Sequence, residues 1–418
     1  MKFLLTIFSI LFFLFSATAA RILIPMDLAQ PNHMKAYGIA YWALKQSVEV
    51  DWLLNYRGGS FSTPYAKAIE DECKIRGVGY EVIADGQYTS MLSEIANPET
   101  NMDVVKLEKA PKIAVYSPKG KLPWDDAVTL VLTYAEIPYD IIYDDEILDG
   151  KLIMYDWLHL HHEDFTGQYG KFFASFGQTE WYKAQVHELE DIAKRRGFAK
   201  VSQLKLAVAQ AIKNYVFGGG FMFAMCSATD SYDIALAAEH TDICDVMYDH
   251  DPQDPKAQSK LEFDKCFAFE NFHLITNPYE YEYSDIDAQY GRQVPKDLDY
   301  FTLFDFSAKW DPVPTMLTQN HTKTVKGFLG QTTAFKKQFV KSSVLVMGQN
   351  KTYNEARYIH GEYGKGMWTF YGGHDPEDYQ HLVGDPPTNL DLHPNSPGYR
   401  LILNNVLFPA ARKKKQKT

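Results

Sequence analysis

Residues 221–225, Phe-Met-Phe-Ala-Met, are apolar at every position and stand between Gly218-Gly219-Gly220 and Cys226. A half-buried strand alternates apolar and polar residues, because successive side chains point to opposite faces. A strand that is apolar on both faces must be covered on both. That happens where helices pack on either side of a parallel sheet. This short segment therefore points to an α/β architecture with the strand near the sheet centre.

The rest of the chain supplies the partners. Residues 21–27 (RILIPMD) read as a buried strand, 33–46 as a helix, 50–56 as a strand, 65–76 as a helix and 80–84 as a strand, a small α/β unit within 21–110. After Pro111 a second succession begins. It runs through strand 112–117, a helix over 123–135 with an early Pro and two acids in its first turn, strands 139–143 and 155–161, and helices 179–196 and 202–216. From about 240 to 335 the chain is rich in Asp, Pro, Tyr and Phe and loses the rhythm, which predicts an inserted cap with short strands. Strands return at 343–347 and 366–371, and a helix at 397–407 closes the domain. Right-handed crossovers between such strands build a doubly wound, mostly parallel sheet over 111–418.

Met1-Lys2, the apolar stretch from Phe3 to Phe15 and the small residues Ser16 to Ala20 have the three parts of a cleavable secretory signal peptide. The stretch is shorter than the roughly 20 residues of a comfortable membrane span. The chain is thus expected in the periplasm or cell envelope, not spanning the membrane after cleavage. Removing residues 1–20 takes away one Lys and no acid, so the formal charge moves from -11 to -12. Such a chain lacks the basic footprint of a nucleic-acid binder. The basic run Arg412 to Lys417 is short and terminal and reads as a solvated end. The four cysteines, Cys73, Cys226, Cys244 and Cys266, have no CxxC or finger spacing, which argues against a structural zinc site. In an oxidising compartment Cys244 and Cys266 could pair.

Cys226 carries the chemical argument. A sharp strand-to-helix turn presents one side chain above the sheet edge and aims backbone N–H groups at whatever that side chain attacks. The helix N-terminus behind it favours the thiolate. In form this is a nucleophile elbow, with the Ser227 N–H as one oxyanion donor. An inert small residue at a tight buried turn would look the same.

From about Pro111 to Leu407 the chain resembles the class I glutamine amidotransferase-like superfamily, a flavodoxin-like α/β fold. The strand order, Gly219-Gly220 before the apolar strand, Cys226 at its end and YDWLHLH in the place of the family's third strand carry the resemblance. Gly372-Gly373-His374-Asp375-Pro376-Glu377 stands where the family has its His and Glu. The resemblance implies Cys226 as nucleophile, His374 as its base and Glu377 as the group that orients the base, in attack on an amide carbonyl with release of ammonia. The family spacing is His-x-Glu. One more residue lies between His374 and Glu377, so Asp375 competes for the orienting role. Where the family has a Gly-rich oxyanion loop stand His161, His162, Glu163 and Asp164, read with Gly219 and Gly220 as substrate-binding residues.

His159 and His161 fall on one side of a strand by its period of two, at the carboxyl edge where ligands bind in such sheets. With His374 they could hold a metal by N/O ligation. No recognised spacing such as HExxH is present, so the cluster is read as pocket lining, and no metal or cofactor is expected. Over the whole chain ILIPMD, NYRGGSF, LHLHHEDFTGQYGKF, FAMCSATDSYDIALAAE and YGGHDPEDYQHL resemble exported bacterial proteins labelled asparagine synthetase B. A true asparagine synthetase needs an N-terminal Cys and an SGGxDS-type loop for ATP chemistry, and neither occurs. Three readings stand: a Cys-dependent amide hydrolase, a non-catalytic envelope binding or assembly protein for a small-molecule or polymer ligand, and a metal-dependent hydrolase built on the cluster from His159 to Asp164.

Overall fold

The computed structural model describes residues 20–120, 122–289, 292 and 294–411. The signal-peptide reading, apart from Ala20, and the basic run 412–417 lie outside the described residues.

Strands β1 (Ala20–Ile24), β2 (Val50–Leu54), β3 (Ser60–Pro64), β4 (Glu81–Ala84) and β5 (Asp103–Leu107) form one sheet in the order β4-β1-β3-β2-β5, with every pairing antiparallel. Helices α1 (His33–Lys45), α2 (Lys67–Ile75) and α3 (Asp85–Ala96) accompany it. The sequence pattern locates β1, β2, β4, α1 and α2 but misses β3, α3 and β5. Strand β3 reads Ser-Phe-Ser-Thr-Pro, a composition that favours a turn. Pairing with β1 on one side and β2 on the other makes it the central strand, which is tertiary context overriding local preference.

The larger sheet is mixed. Strands β6 (Ile113–Tyr116), β7 (Asp140–Ile142), β8 (Trp157–Leu160) and β9 (Phe221–Met225) are joined by β10 (Tyr300–Leu303), β11 (Thr324–Lys326), β12 (Phe335–Lys336), β13 (Leu345–Asn350), β14 (Glu355–Tyr363) and β15 (Gly366–Tyr371). The run β7-β6-β8-β9-β15 is parallel. Antiparallel β14, β13, β10 and β11 continue it, and β12 pairs with β14. Helices α4 (Ala127–Tyr134), α5 (Asp144–Leu148), α6 (Phe173–Phe176), α7 (Glu180–Arg195), α8 (Val201–Gly218), α9 (Ser227–Ala237), α10 (Val246–Asp249), α11 (Pro312–Leu317) and α12 (Pro397–Leu407) are the remaining α-helices among the described residues.

Strand β9 is apolar on both faces because both are packed. Met222 and Ala224 share a core with Leu158, Leu160 and residues of α8 and α9. Phe223 and Met225 share another with Val115, Trp157 and residues of α4 and α12. Burial of each such large side chain contributes roughly 1.5–3 kcal/mol. The second core runs on into the amino-terminal sheet through Met26, Tyr37 and Trp52. Gly38 of α1 approaches the end of α4 so closely that a Cβ there would lie 2.0 Å from the Ala135 carbonyl oxygen.

Three expectations change on folding. The sheet expected to be mostly parallel is mixed, because β10 to β14 join it through antiparallel pairings. The predicted cap is only partly a cap: β10 and β11 from its carboxyl half extend the main sheet, with α11 between them in the chain. Its amino half packs over α9, where Asp233 accepts the N–H groups of Phe267 at 2.7 Å, Ala268 at 2.7 Å and Phe269 at 3.0 Å. The pairing of Cys244 with Cys266 does not form. All four cysteines are free, and the two thiols donate to different carbonyls, Thr166 at 3.2 Å and Asp233 at 3.3 Å. Among the described residues no helix is long and apolar enough to cross a membrane.

Candidate active site

Cys226 follows β9 and precedes the first residue of α9, with φ +51° and ψ −138°. A non-glycine residue held at positive φ stores on the order of 1–3 kcal/mol, which its surroundings must supply. They do so on both sides: the Ala228 N–H donates to the His161 carbonyl at 2.9 Å, and the Thr229 hydroxyl donates to the Cys226 carbonyl at 2.7 Å. The sulfur accepts the Gln331 N–H at 3.2 Å. The N–H groups of Thr332 and Ser227 also favour its thiolate. Burial pushes the thiol up to about 11, and those three N–H groups pull against the rise. The resting group is therefore a thiol inside a ready-made anion-stabilising nest.

The loop that brings Gln331 and Thr332 to the sulfur is fastened from four directions. The Thr332 hydroxyl donates to Asp230 at 2.8 Å, and the Thr333 N–H donates to Asp287 at 3.0 Å. Arg357 Nη1 donates to the carbonyls of Phe328 and Thr333, both at 2.7 Å. Gly330 lies flat on the chain before His374, where a Cβ would come within 2.8 Å of the Gly373 carbonyl carbon and the His374 nitrogen.

His161 and His162 follow β8, and His374 follows β15. One ring nitrogen of each and the Cys226 sulfur all lie within 4.8 Å of one another. The rings of His161 and His162 stack at 3.7 Å, and that of His374 lies 4.6 Å from His162 and 4.6 Å from His381. Burial holds His162 and His374 well below the usual imidazole range, so both are neutral. His159 Nε2 and His161 Nδ1 each lie 3.1 Å from the same Asp126 oxygen, as the strand period of two requires. Burial alone would raise the Asp126 carboxyl; His159 and His161 outweigh it and hold the group well below the usual carboxylate range. Asp126 also caps α4 by accepting the Thr129 N–H at 2.8 Å.

Other sequence-predicted residues take different places. Glu377 lies 3.1 Å from His393 Nδ1. Asp375 accepts the Glu377 N–H at 2.8 Å and the Thr388 hydroxyl at 2.7 Å, which shapes the turn after His374. Neither carboxylate backs the His374 ring. Glu163 turns away to the Tyr143 hydroxyl at 3.3 Å, and burial pushes it up to about 7. Asp164 accepts the N–H groups of Thr166 at 2.7 Å and Gly170 at 3.2 Å and so closes its own loop. Gly219 and Gly220 sit at the amino end of β9, on the opposite sheet edge from Cys226, with Gly220 under the Tyr215 ring. They do not reach the site, because the two ends of one strand open on opposite edges. Ser227 stays beside the sulfur, with its hydroxyl buried and unpaired.

A cavity of about 480 Å³ opens over Cys226, Ser227, His162 and His374. Trp124, Phe172, Phe176 and Tyr281 form its aromatic wall. The sequence reading misses Asp126 because it starts the helix at Pro123, which buries the two acids in a first turn. The helix starts at Ala127, so Asp126 is its N-cap, free to face the histidines. An Asp three residues before Thr129 was the available signal.

The acids that fasten the loop respond to pH. Burial, together with the Asp230 charge, pushes Asp287 up to about 8, and burial pushes Asp230 up to about 7. The folded state therefore holds protons that the unfolded chain has released. The contribution of these two acids to stability is full below about pH 4 and is lost as pH rises towards 8, by up to about 1.4 kcal/mol per unit of raised pKa. The Asp287→Asn variant keeps an oxygen for the Thr333 N–H and removes the charge. Its melting temperature is expected to fall less between pH 5 and pH 8.5 than that of the parent; identical pH profiles would show that Asp287 is not the linked group.

No family model and no curated protein matches the chain. Among solved structures it is similar to the cytoplasmic protein STM3548 from Salmonella typhimurium, at 12% identity over 72% of this chain and 100% of that one, with a TM-score of 0.36. It is also similar to the cytoplasmic protein STM1381 from Salmonella typhimurium LT2, at 13% identity over 66% and 91%, with a TM-score of 0.33. A catalytic mutant of Gan42B, a GH42 β-galactosidase from G. stearothermophilus, matches at 11% identity over 63% of this chain and 28% of that one, with a TM-score of 0.28. Likenesses this weak carry no argument about fold or function.

Proposed function

We propose that this chain is an exported, class I glutamine amidotransferase-like protein that hydrolyses a carboxamide through Cys226. The carrying observation is the Cys226 sulfur on a strained elbow, faced by backbone N–H groups and within 4.8 Å of three imidazoles. The parallel strands support the fold reading. Numbered along the chain they lie in the order 2-1-3-4-5, the flavodoxin-like order, with packed cores on both faces. The signal-peptide pattern supports an envelope location. Hydrolysis also suits a compartment without ATP.

The base role goes to His161. A base works best when a third group fixes its ring, and Asp126 lies 3.1 Å from His161 Nδ1, leaving Nε2 for the thiol. His374 lies at the same reach, but Asp125, whose carboxylate is within 4.8 Å of a His374 ring nitrogen, is paired at 2.7 Å with His381 instead. In the reaction the thiol proton passes to His161 Nε2 as the sulfur bonds to the carbonyl carbon. The Ser227 and Gln331 N–H groups receive the developing oxyanion. The C–N bond breaks, ammonia leaves with the proton from His161, and water then hydrolyses the thioester.

A chloroketone analogue of glutamine tests the reading. One adduct per chain on the Cys226 peptide, slowed by a competing primary amide, is the expected mass-spectrometric result. Equal labelling of Cys73, Cys244 and Cys266, or labelling only after denaturation, would refute it.

A further inference from the structure

We propose that Cys226, His161, His162 and His374 together bind one zinc-class divalent transition-metal ion in a four-coordinate site. The proposal goes beyond the hydrolase reading: it shares the cluster of Cys226 and three imidazoles and adds the orphaned ring nitrogens and the groups behind the rings. The four donor atoms lie within 4.8 Å of one another. A tetrahedral zinc ion needs donor separations of roughly 3.3–3.6 Å, so side-chain adjustments of about an ångström close the set. His161 is 1% exposed and His374 7%, yet among the described residues Nε2 of each has no hydrogen-bond partner, and His161 Nδ1 has only its 3.1 Å ion-pair contact with Asp126. Buried polar nitrogens are normally paired, and orphaned ones on two rings of one cluster point to a missing ligand.

The surrounding groups are those of a metal centre. A ligating histidine usually gives its other nitrogen to a carboxylate or carbonyl, which fixes the ring and selects the coordinating atom. Asp126 stands behind His161 Nδ1, and the Asp125 carbonyl takes His162 Nε2 at 2.9 Å, which leaves Nδ1 to ligate. The Gln331 N–H supports the sulfur in the same manner. Three nitrogens and a thiolate select zinc, cobalt or copper over magnesium or calcium.

With four protein ligands the site is closed and leaves no position for a reacting water. Binding takes the Cys226 proton, which goes to solvent, and ties up the sulfur. The loaded form is then silent, and metal removal exposes the nucleophile. Hydrolysis and metal binding are alternative states of one sulfur.

Cobalt titration of the metal-free full-length chain reads the site directly. A sulfur-to-cobalt charge-transfer band and the strong visible absorption of tetrahedral cobalt should saturate at one equivalent, and zinc should bleach both. The Cys226→Ser variant, checked for fold by circular dichroism, should lose the charge-transfer band. The Asp126→Asn variant keeps a competent helix cap and should bind about 10–100-fold more weakly. Absence of a thiolate band in the parent chain, or its survival in Cys226→Ser, overturns the proposal. The chloroketone adduct on metal-free protein separates the two ideas. An adduct without a cobalt band leaves the hydrolase and removes the metal site; a cobalt band without an adduct does the reverse.

Discussion

Cys226→Ala is expected to lower ammonia release from the cognate carboxamide on the order of 10⁴-fold or more. The elbow places one nucleophile over the cavity, and the Ser227 hydroxyl beside it has no base within its own hydrogen bonds. His161→Asn removes the carboxylate-backed base and should cost about 10²–10⁴-fold in kcat. His374→Asn should cost less, since the carboxylate near that ring, Asp125, is paired with His381. The double variant Cys226→Ala/His161→Asn should be no worse than Cys226→Ala alone, because groups that act as a unit lose their effects together. The measurement is steady-state ammonia release from metal-free protein over a panel of primary amides that includes glutamine and asparagine. A His374 variant weaker than the His161 variant would move the base role to His374 and leave Asp126 as a purely structural cap.

Arg357→Met is expected to destabilise the fold by about 3–5 kcal/mol, the cost of breaking a buried ion pair from one side. Arg357 and Asp299 are both fully buried, with Nη2 2.9 Å from the carboxylate. Arg292, at 2.6 Å, remains to Asp299, which keeps the loss from being larger. The same guanidinium holds the carbonyls at both ends of the 328–333 loop. Two readouts should therefore move together: the urea midpoint falls, and the chloroketone reacts more slowly with Cys226 even where the variant is fully folded. A lower midpoint with unchanged labelling would show that the loop holds its N–H groups without Arg357.

Much of the framework is legible in the chain. The boundaries of α7, α8, β9, β15 and α12 follow from apolar period, glycine and proline positions within a residue or two. Cys226 at the end of an all-apolar strand marks the site, and the period of two puts His159 and His161 on one side. Errors cluster where local preference and tertiary pairing disagree. Strand β3 has the composition of a turn and is held by two neighbours. Helix α4 begins four residues later than its proline suggests, which turns a first-turn acid into the partner of two histidines. The His374–Glu377 pair, carried over from a family spacing, dissolves because Glu377 finds His393 closer.

By itself the sequence determined the apolar strand, its coverage by helices on both faces and the cysteine at its end. These follow from the order of residues over a few positions, which is the range over which strand and helix periods act. Only the tertiary structure decided what surrounds the sulfur. The Gln331 N–H comes from 105 residues away, and Asp126 reaches His159 across 33. No local period records such contacts: they exist because packing both faces of β9 draws the ends of β8, β9 and β15 and the 328–333 loop to one sheet edge.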